Sequence, residues 1–216
     1  MSEAGIEAAL APGLALVFDA ARCPDPVPVT VGGQQVRGCE VYIGGSSAFH
    51  VWDAAERERV DHLPKLPVWV PTPGLDNPFH SAMGCLDALR AAGVAPYARP
   101  YKAVMVDLET GSADPAFGRA DPAWLAAFRS RILAAGYDTM PYASANVVFR
   151  YPAYTGRIMA CWDGSQQFTC NGEQLAGTIA GKQYVAEVHV PGGFVDLNVF
   201  GLAVLPHMGL WTPAIP

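Results

Sequence analysis

The 216-residue chain is 51% hydrophobic and only 16% charged, which excludes a disordered or coiled-coil protein and leaves room for a domain with a sizeable core. Its net charge of -6, with no basic stripe carrying interleaved aromatics, argues against nucleic acid as a partner. No apolar run reaches the roughly eighteen residues of a membrane span.

Ala8 to Phe18 has the apolar character of an export-signal core, but Met1 to Glu7 holds two Glu and no basic residue, the wrong charge for one. Residues 1–13 are therefore read as a lead-in without a signal peptide. Leu14 to Phe18 reads as a strand ending at Asp19, and Cys39 to Ile43 as a second, stopped by Gly44-Gly45. Asp53 to His62 is a charged helix with Asp53 as its N-cap. Pro67 to Val70 is a third strand. Pro78 to Ala92 is a helix by the spacing of Met83, Leu86 and Leu89, closed by Gly93.

Ala103 to Leu108 is the fourth strand. Asp121-Pro122 opens the next helix, which runs through Trp124, Leu125, Phe128 and Leu133 to Gly136. Thr139 to Ala143 is a fifth strand, with a short helical stretch around Asn146 to Phe149. Beyond Tyr154 the helical spacing stops, and Arg157 to Trp162, Gln183 to Val188 and Phe194 to Phe200 read as plain strands. Eight strands, the early ones alternating with helices, make an α/β fold: a single TIM-like barrel, parallel and closed, whose last strands lack their helices. The expected division is a lead-in over 1–13, a barrel over 14–205 and an exposed Pro-rich tail over 206–216.

Such barrels do their chemistry at the C-terminal ends of the strands. Asp107-Leu108-Glu109 ends the fourth strand, Asp19 the first, and Asp196 lies on the eighth. Residues two apart on a strand share a face, so Asp107 and Glu109 are paired carboxyls. Crowding raises their pKa values, which can hold one as a neutral acid able to protonate a glycosidic oxygen. Strands one and eight are neighbours on closure, which brings Asp19 beside Asp196. The histidines, His50, His62, His80, His189 and His207, are scattered singly. Neither a metal nor a cofactor is expected. The simpler reading of the five cysteines is free thiols. The alternative is a Cys161–Cys170 pair across a turn-rich stretch, formed in an oxidising compartment.

Val17-Phe18-Asp19, Val106-Asp107-Leu108-Glu109, Pro141-Tyr142-Ala143-Ser144, Gln183-Tyr184 and Val195-Asp196-Leu197-Asn198 together resemble the glycoside hydrolase family 25 muramidases. Tyr42-Ile43-Gly44-Gly45 resembles more closely a related actinobacterial glycoside-hydrolase-like domain family. The resemblance implies a barrel that cleaves the glycan of bacterial peptidoglycan. Glu109 would be the general acid/base, and Asp107 would assist the substrate's N-acetyl group. Asp19 and Asp196 would hold sugar hydroxyls. Trp69, Tyr142, Trp162 and Tyr184, at or near strand ends, would stack on sugar faces, and Tyr42 would be a further substrate-binding residue. For each aromatic, core packing is the alternative.

The chain departs from the muramidase pattern at Lys182, where a Trp is usual, at Ala20-Ala21 and at Pro71-Thr72-Pro73. The implied place of action is the bacterial cell wall, from outside the cell or on a phage virion, with peptidoglycan and virion or envelope assemblies as partners. The competing expectation is a non-catalytic carbohydrate-binding or phage virion module on the same barrel.

Overall fold

The structure, a computed structural model, describes residues 10–46, 50–72, 77–96, 102–108, 122–174 and 178–209. Its strands in chain order are β1 (Leu14–Asp19), β2 (Thr30–Val31), β3 (Gln34–Gly45), β4 (Lys65–Val70), β5 (Lys102–Asp107), β6 (Tyr137–Ser144), β7 (Ile158–Ala160), β8 (Thr169–Cys170), β9 (Glu173–Gln174), β10 (Gly181–Val190) and β11 (Gly193–Gly201). The helices are α1 (Ala54–Arg59), α2 (Pro78–Ala91), α3 (Pro122–Ala134) and α4 (Ala145–Val148). The main sheet runs β1-β11-β10-β7-β6-β5-β4-β3-β2, and a β1–β3 pairing closes it into an eight-stranded barrel. β2 is a short hairpin arm on β3, and β8 with β9 forms a separate two-stranded ribbon.

One expectation needs correcting. The barrel is not wholly parallel, because β11 runs antiparallel to both β10 and β1. The reason is chain length. Only Pro191-Gly192 separates β10 from β11, whereas a parallel crossover needs a dozen residues or more. The second strand is also longer than its apolar run suggested, because Gly32-Gly33 folds β2 back on it.

The early strands are buried on both faces, as a barrel wall with helices outside requires. Val17, Leu66, Val68, Met105, Met140 and Phe200 fill the interior, while Leu16, Phe18, Val104 and Val106 face the helical layer with Leu89, Leu125, Phe128 and Ile132. Gly181 makes room for the interior Phe200. A Cβ at position 181 would lie 2.0 Å from the Phe200 ring.

Helix ends follow the expected chemistry. Asp53 caps α1 in a reciprocal box with Glu56, with N–H to carboxylate distances of 2.8 and 2.9 Å. Asn77 caps α2 through the N–H groups of Phe79 and His80. The expected cap of α3, Asp121, lies outside the described residues.

A 3-10 helix over Leu202–His207 plugs the barrel's N-terminal end. Residues 206–209, placed in an exposed tail by composition, belong to this plug. Met208 is 1% exposed inside the barrel, and Gly209 bridges the backbone of Lys65 at 2.8 and 2.9 Å. The remaining tail, 210–216, lies outside the described residues. Among the described residues, 157 to 200 contain strands and turns and no helix.

Candidate active site

β1 and β5 end at Asp19 and Asp107, and alternation turns both into the barrel mouth behind Val17 and Met105. Because β11 runs the other way, its beginning lies at that same mouth. Asp196 is the direct register partner of Asp19, which puts their Cα atoms about 4.5–5.5 Å apart. Leu108 still donates its N–H to Tyr142 O at 2.8 Å, so strand pairing continues just past Asp107. Glu109, the expected acid, lies outside the described residues.

A further carboxyl joins them. Glu40 shares the inward face of β3 with Gly38 and Tyr42 and is 1% exposed. Burial pushes its carboxyl well above the ordinary value, and the charges of Asp19, Asp107 and Asp196 push it further. Both effects favour the neutral acid at Glu40, and its Oε1 has no hydrogen-bond partner among the described residues. Its response to all three aspartates marks them as one electrostatic cluster. The sequence reading missed Glu40. The available signal was an acid flanked by Cys39 and Val41 in the middle of an apolar strand.

Tyr42 donates its phenol to Asp19 Oδ2 at 3.1 Å. Burial, then Asp19, Asp107 and Glu40, hold that phenol well above its usual pKa, so it remains a donor. Tyr142 faces the interior and donates to Gln183 Oε1. The same oxygen accepts the Trp162 indole N–H at 2.8 Å, and Gln183 Nε2 donates to Asp196 Oδ2 at 2.7 Å. Burial raises the Asp196 pKa. The Glu187 N–H and the Gln183 amide oppose that shift, and the Glu187 charge adds to it.

Trp162 is 62% exposed. Trp69 and Tyr184 correct the expectation. Both are turned outward into the helix-facing core, at 8% and 2% exposure. The Trp69 ring packs against Gly44 and Gly84, and its N–H donates to Ser81 on α2 at 3.1 Å. Strand alternation explains both placements, because their neighbours Val68 and Gln183 take the inward positions.

The loop after β7 carries Trp162. Here Cys161 and Cys170 are joined in a disulfide with Cα atoms 5.8 Å apart, which corrects the five-thiol reading. Cys23, Cys39 and Cys85 are free and buried. Lys182 explains a departure noted in the sequence. It points out of the barrel, fully buried, and its ammonium holds Asp163 Oδ1 at 2.6 Å and the Thr169 and Gln167 carbonyls at 2.6 and 3.2 Å. Burial works against the Asp163 carboxylate, but Lys182 and the N–H groups of Ser165 and Asn171 bring its pKa below the ordinary value.

Disulfide and lysine thus fasten the same loop. For cysteines nine positions apart, the chain-entropy model gives about 2–3 kcal/mol. A Cys161→Ser, Cys170→Ser double variant should lose that much in urea unfolding. A midpoint equal to wild type would mean the loop is ordered by Lys182 alone. Asp163 lies near both sulfurs, but the bonded thiols offer no thiolate to a metal.

The structure therefore gathers Asp19, Asp107, Asp196, Tyr42, Tyr142 and Trp162 of the expected site residues, and adds Glu40 and Gln183. Gln183 was visible as a motif residue but not as a site residue.

No protein-family model matches the chain, and no curated protein sequence matches it. Solved structures do. The spore cortex lytic enzyme SleM of Clostridium perfringens superposes with a TM-score of 0.64 at 14% identity, over 93% of this chain and 71% of that one. The catalytic domain of the endolysin ply40, from bacteriophage P40 of Listeria monocytogenes, gives 0.62 at 13%, over 91% and 97%. A glycosyl hydrolase 25 of Streptococcus pneumoniae, described as a virulence factor in host cell invasion, gives 0.60 at 11%, over 87% of each chain. Identities this low speak for architecture alone, and the architecture is that of the glycoside hydrolase family 25 barrels.

Proposed function

We propose that the protein is a glycosidase of bacterial cell-wall peptidoglycan, a muramidase whose proton donor is Glu109. The observation that carries this reading is the convergence of Asp19, Asp107 and Asp196 with Tyr42, Tyr142 and Trp162 at one barrel mouth. Glu109 gives its proton to the glycosidic oxygen as the bond to the anomeric carbon breaks. The substrate's own N-acetyl oxygen attacks that carbon from the other side, and Asp107 steadies the positive charge that develops on the amide. Water then opens the cyclic intermediate, with Glu109 taking the proton back. Asp19 and Asp196 accept hydrogen bonds from sugar hydroxyls. The Cys161–Cys170 link supports a place of action outside the reducing cytosol, at the cell wall.

The test is release of new reducing ends from purified peptidoglycan, with borohydride labelling to identify the sugar. A muramidase exposes N-acetylmuramic acid. Binding without release would leave the non-catalytic carbohydrate-binding or virion module as the function. On either reading, the exposed Trp162 ring should carry affinity. Stacking of about 0.5–1.5 kcal/mol makes Trp162→Ala weaken glycan binding about two- to thirteenfold in calorimetry, and unchanged affinity would remove Trp162 from the site.

A further inference from the structure

Gln183 is 3% exposed on the inward face of β10 and is hydrogen-bonded at both ends of its amide. Its oxygen receives the Trp162 N–H at 2.8 Å and the Tyr142 phenol, and its nitrogen donates to Asp196 Oδ2 at 2.7 Å. This orientation is dictated by chemistry. An indole N–H can only donate and a carboxylate can only accept, so the flipped amide would set donor against donor and acceptor against acceptor. The other Asp196 oxygen takes the Glu187 N–H at 2.7 Å, so both oxygens of that carboxylate are held. One buried side chain therefore ties an exposed aromatic ring on the β7–β10 loop to a mouth carboxylate on β11.

We infer that Gln183 is a positioning residue that locks Trp162 and Asp196 into a single preformed surface for one pyranose unit, the ring covering the sugar's apolar face and the carboxylate taking its hydroxyls. This deepens, and rests on, the muramidase reading. Preordering matters because side chains that must be frozen on binding subtract from affinity. Here the freezing is done before the glycan arrives, by an amide the glycan does not touch. The Gln183 amide also favours the charged form of Asp196, so its loss should move the titration of that carboxyl upward.

The experiment uses the full chain with a soluble N-acetylglucosamine–N-acetylmuramic acid tetrasaccharide. In the free protein, the Trp162 indole N–H resonance is identified by its loss in Trp162→Phe. Gln183→Met should shift that resonance and speed its exchange. It should also weaken tetrasaccharide binding and raise KM on the order of tenfold, with kcat within about threefold.

Gln183→Glu keeps an oxygen for Trp162 and Tyr142 but sets a second carboxyl against Asp196. The indole signal should stay, and affinity should fall at neutral pH. Affinity should recover as acid supplies one proton for the two carboxyls to share. The ionisable groups facing the new carboxyl are Asp196 and the Tyr142 phenol, with Asp19 and Glu187 beyond Asp196 and with Glu40 and Asp107 in the same cluster. If Gln183→Met does not fold, Gln183→Glu carries the test through its pH-dependent rescue.

The inference is overturned if wild type binds the tetrasaccharide and both variants bind it equally well, or if the indole signal ignores Gln183→Met. A wild type that binds no glycan while the indole signal still responds overturns the muramidase reading instead, and the two failures are thereby told apart.

Discussion

Glu109→Gln is expected to abolish reducing-end release from peptidoglycan, cutting turnover by about 10²- to 10⁴-fold, the usual share of a general acid. Gln has the shape of the protonated acid but no proton to give, so glycan affinity and thermal stability should stay near wild type. The residue two positions before it, Asp107, sits buried at the mouth among other carboxylates. A negative charge in that place favours the protonated form of a neighbouring acid at the pH of the reaction. Asp107→Asn should therefore reduce turnover as well, both through Glu109 and by weakening support for the N-acetyl nucleophile. The measurement is release of labelled muramic acid ends, with each variant beside wild type. A Glu109→Gln protein that clears cell walls at the wild-type rate would assign the proton to another residue.

The second large effect concerns stability and should appear at Glu40. An ordinary Glu titrates at 4.5, and burial, with Asp19, Asp107 and Asp196, lifts this one well above that. Between those two values the unfolded chain has lost a proton that the folded chain keeps. The unfolded state binds fewer protons there, so stability falls as pH rises. The slope over that window is about 1.4 kcal/mol per pH unit.

Glu40→Gln replaces the acid with a neutral amide of the same size and removes that loss. Its melting temperature at pH 7 should exceed wild type, and the two should converge below pH 4.5. Asp53, Glu56 and Asp163, lowered, shape the wild-type curve but cancel in the difference, whereas Asp196 titrates together with Glu40. A gap of the same size at both pH values would show that packing, not protonation, separates the two proteins.

Most of the barrel was legible because its strands are apolar runs cut by Gly, Pro and acids, and its long helices carry caps and periodic apolar faces. The direction of β11 is invisible to that patterning, although the few residues between the last two apolar runs already rule out a crossover. Asp19 and Asp107 could be placed because alternation and barrel closure together fix where residues at strand ends point, whereas Asp196 reaches the same mouth through the reversal of β11. The aromatics could not be sorted the same way. Trp69 and Tyr184 look no different in sequence from Tyr142 and Trp162, and only the register of each strand decides which rings face the mouth. Gln183 was harder still, since its role depends on three partners from three separate segments, Tyr142, Trp162 and Asp196.

The reversed last strand has a consequence for how the barrel is made. β1 and β11 pair residue for residue from Leu14 opposite Gly201 to Asp19 opposite Asp196, joining the two ends of the fold across most of the chain's length. Contacts so distant in sequence form slowly, and until they form, β1 and β7 each present an unpaired backbone edge. The β10–β11 hairpin, itself a local and fast-forming unit, covers both edges at once when it arrives. A chain ending before Gly181 would keep both edges open and tend to pair with copies of itself. Shortening from this side should therefore yield aggregates rather than a smaller working barrel.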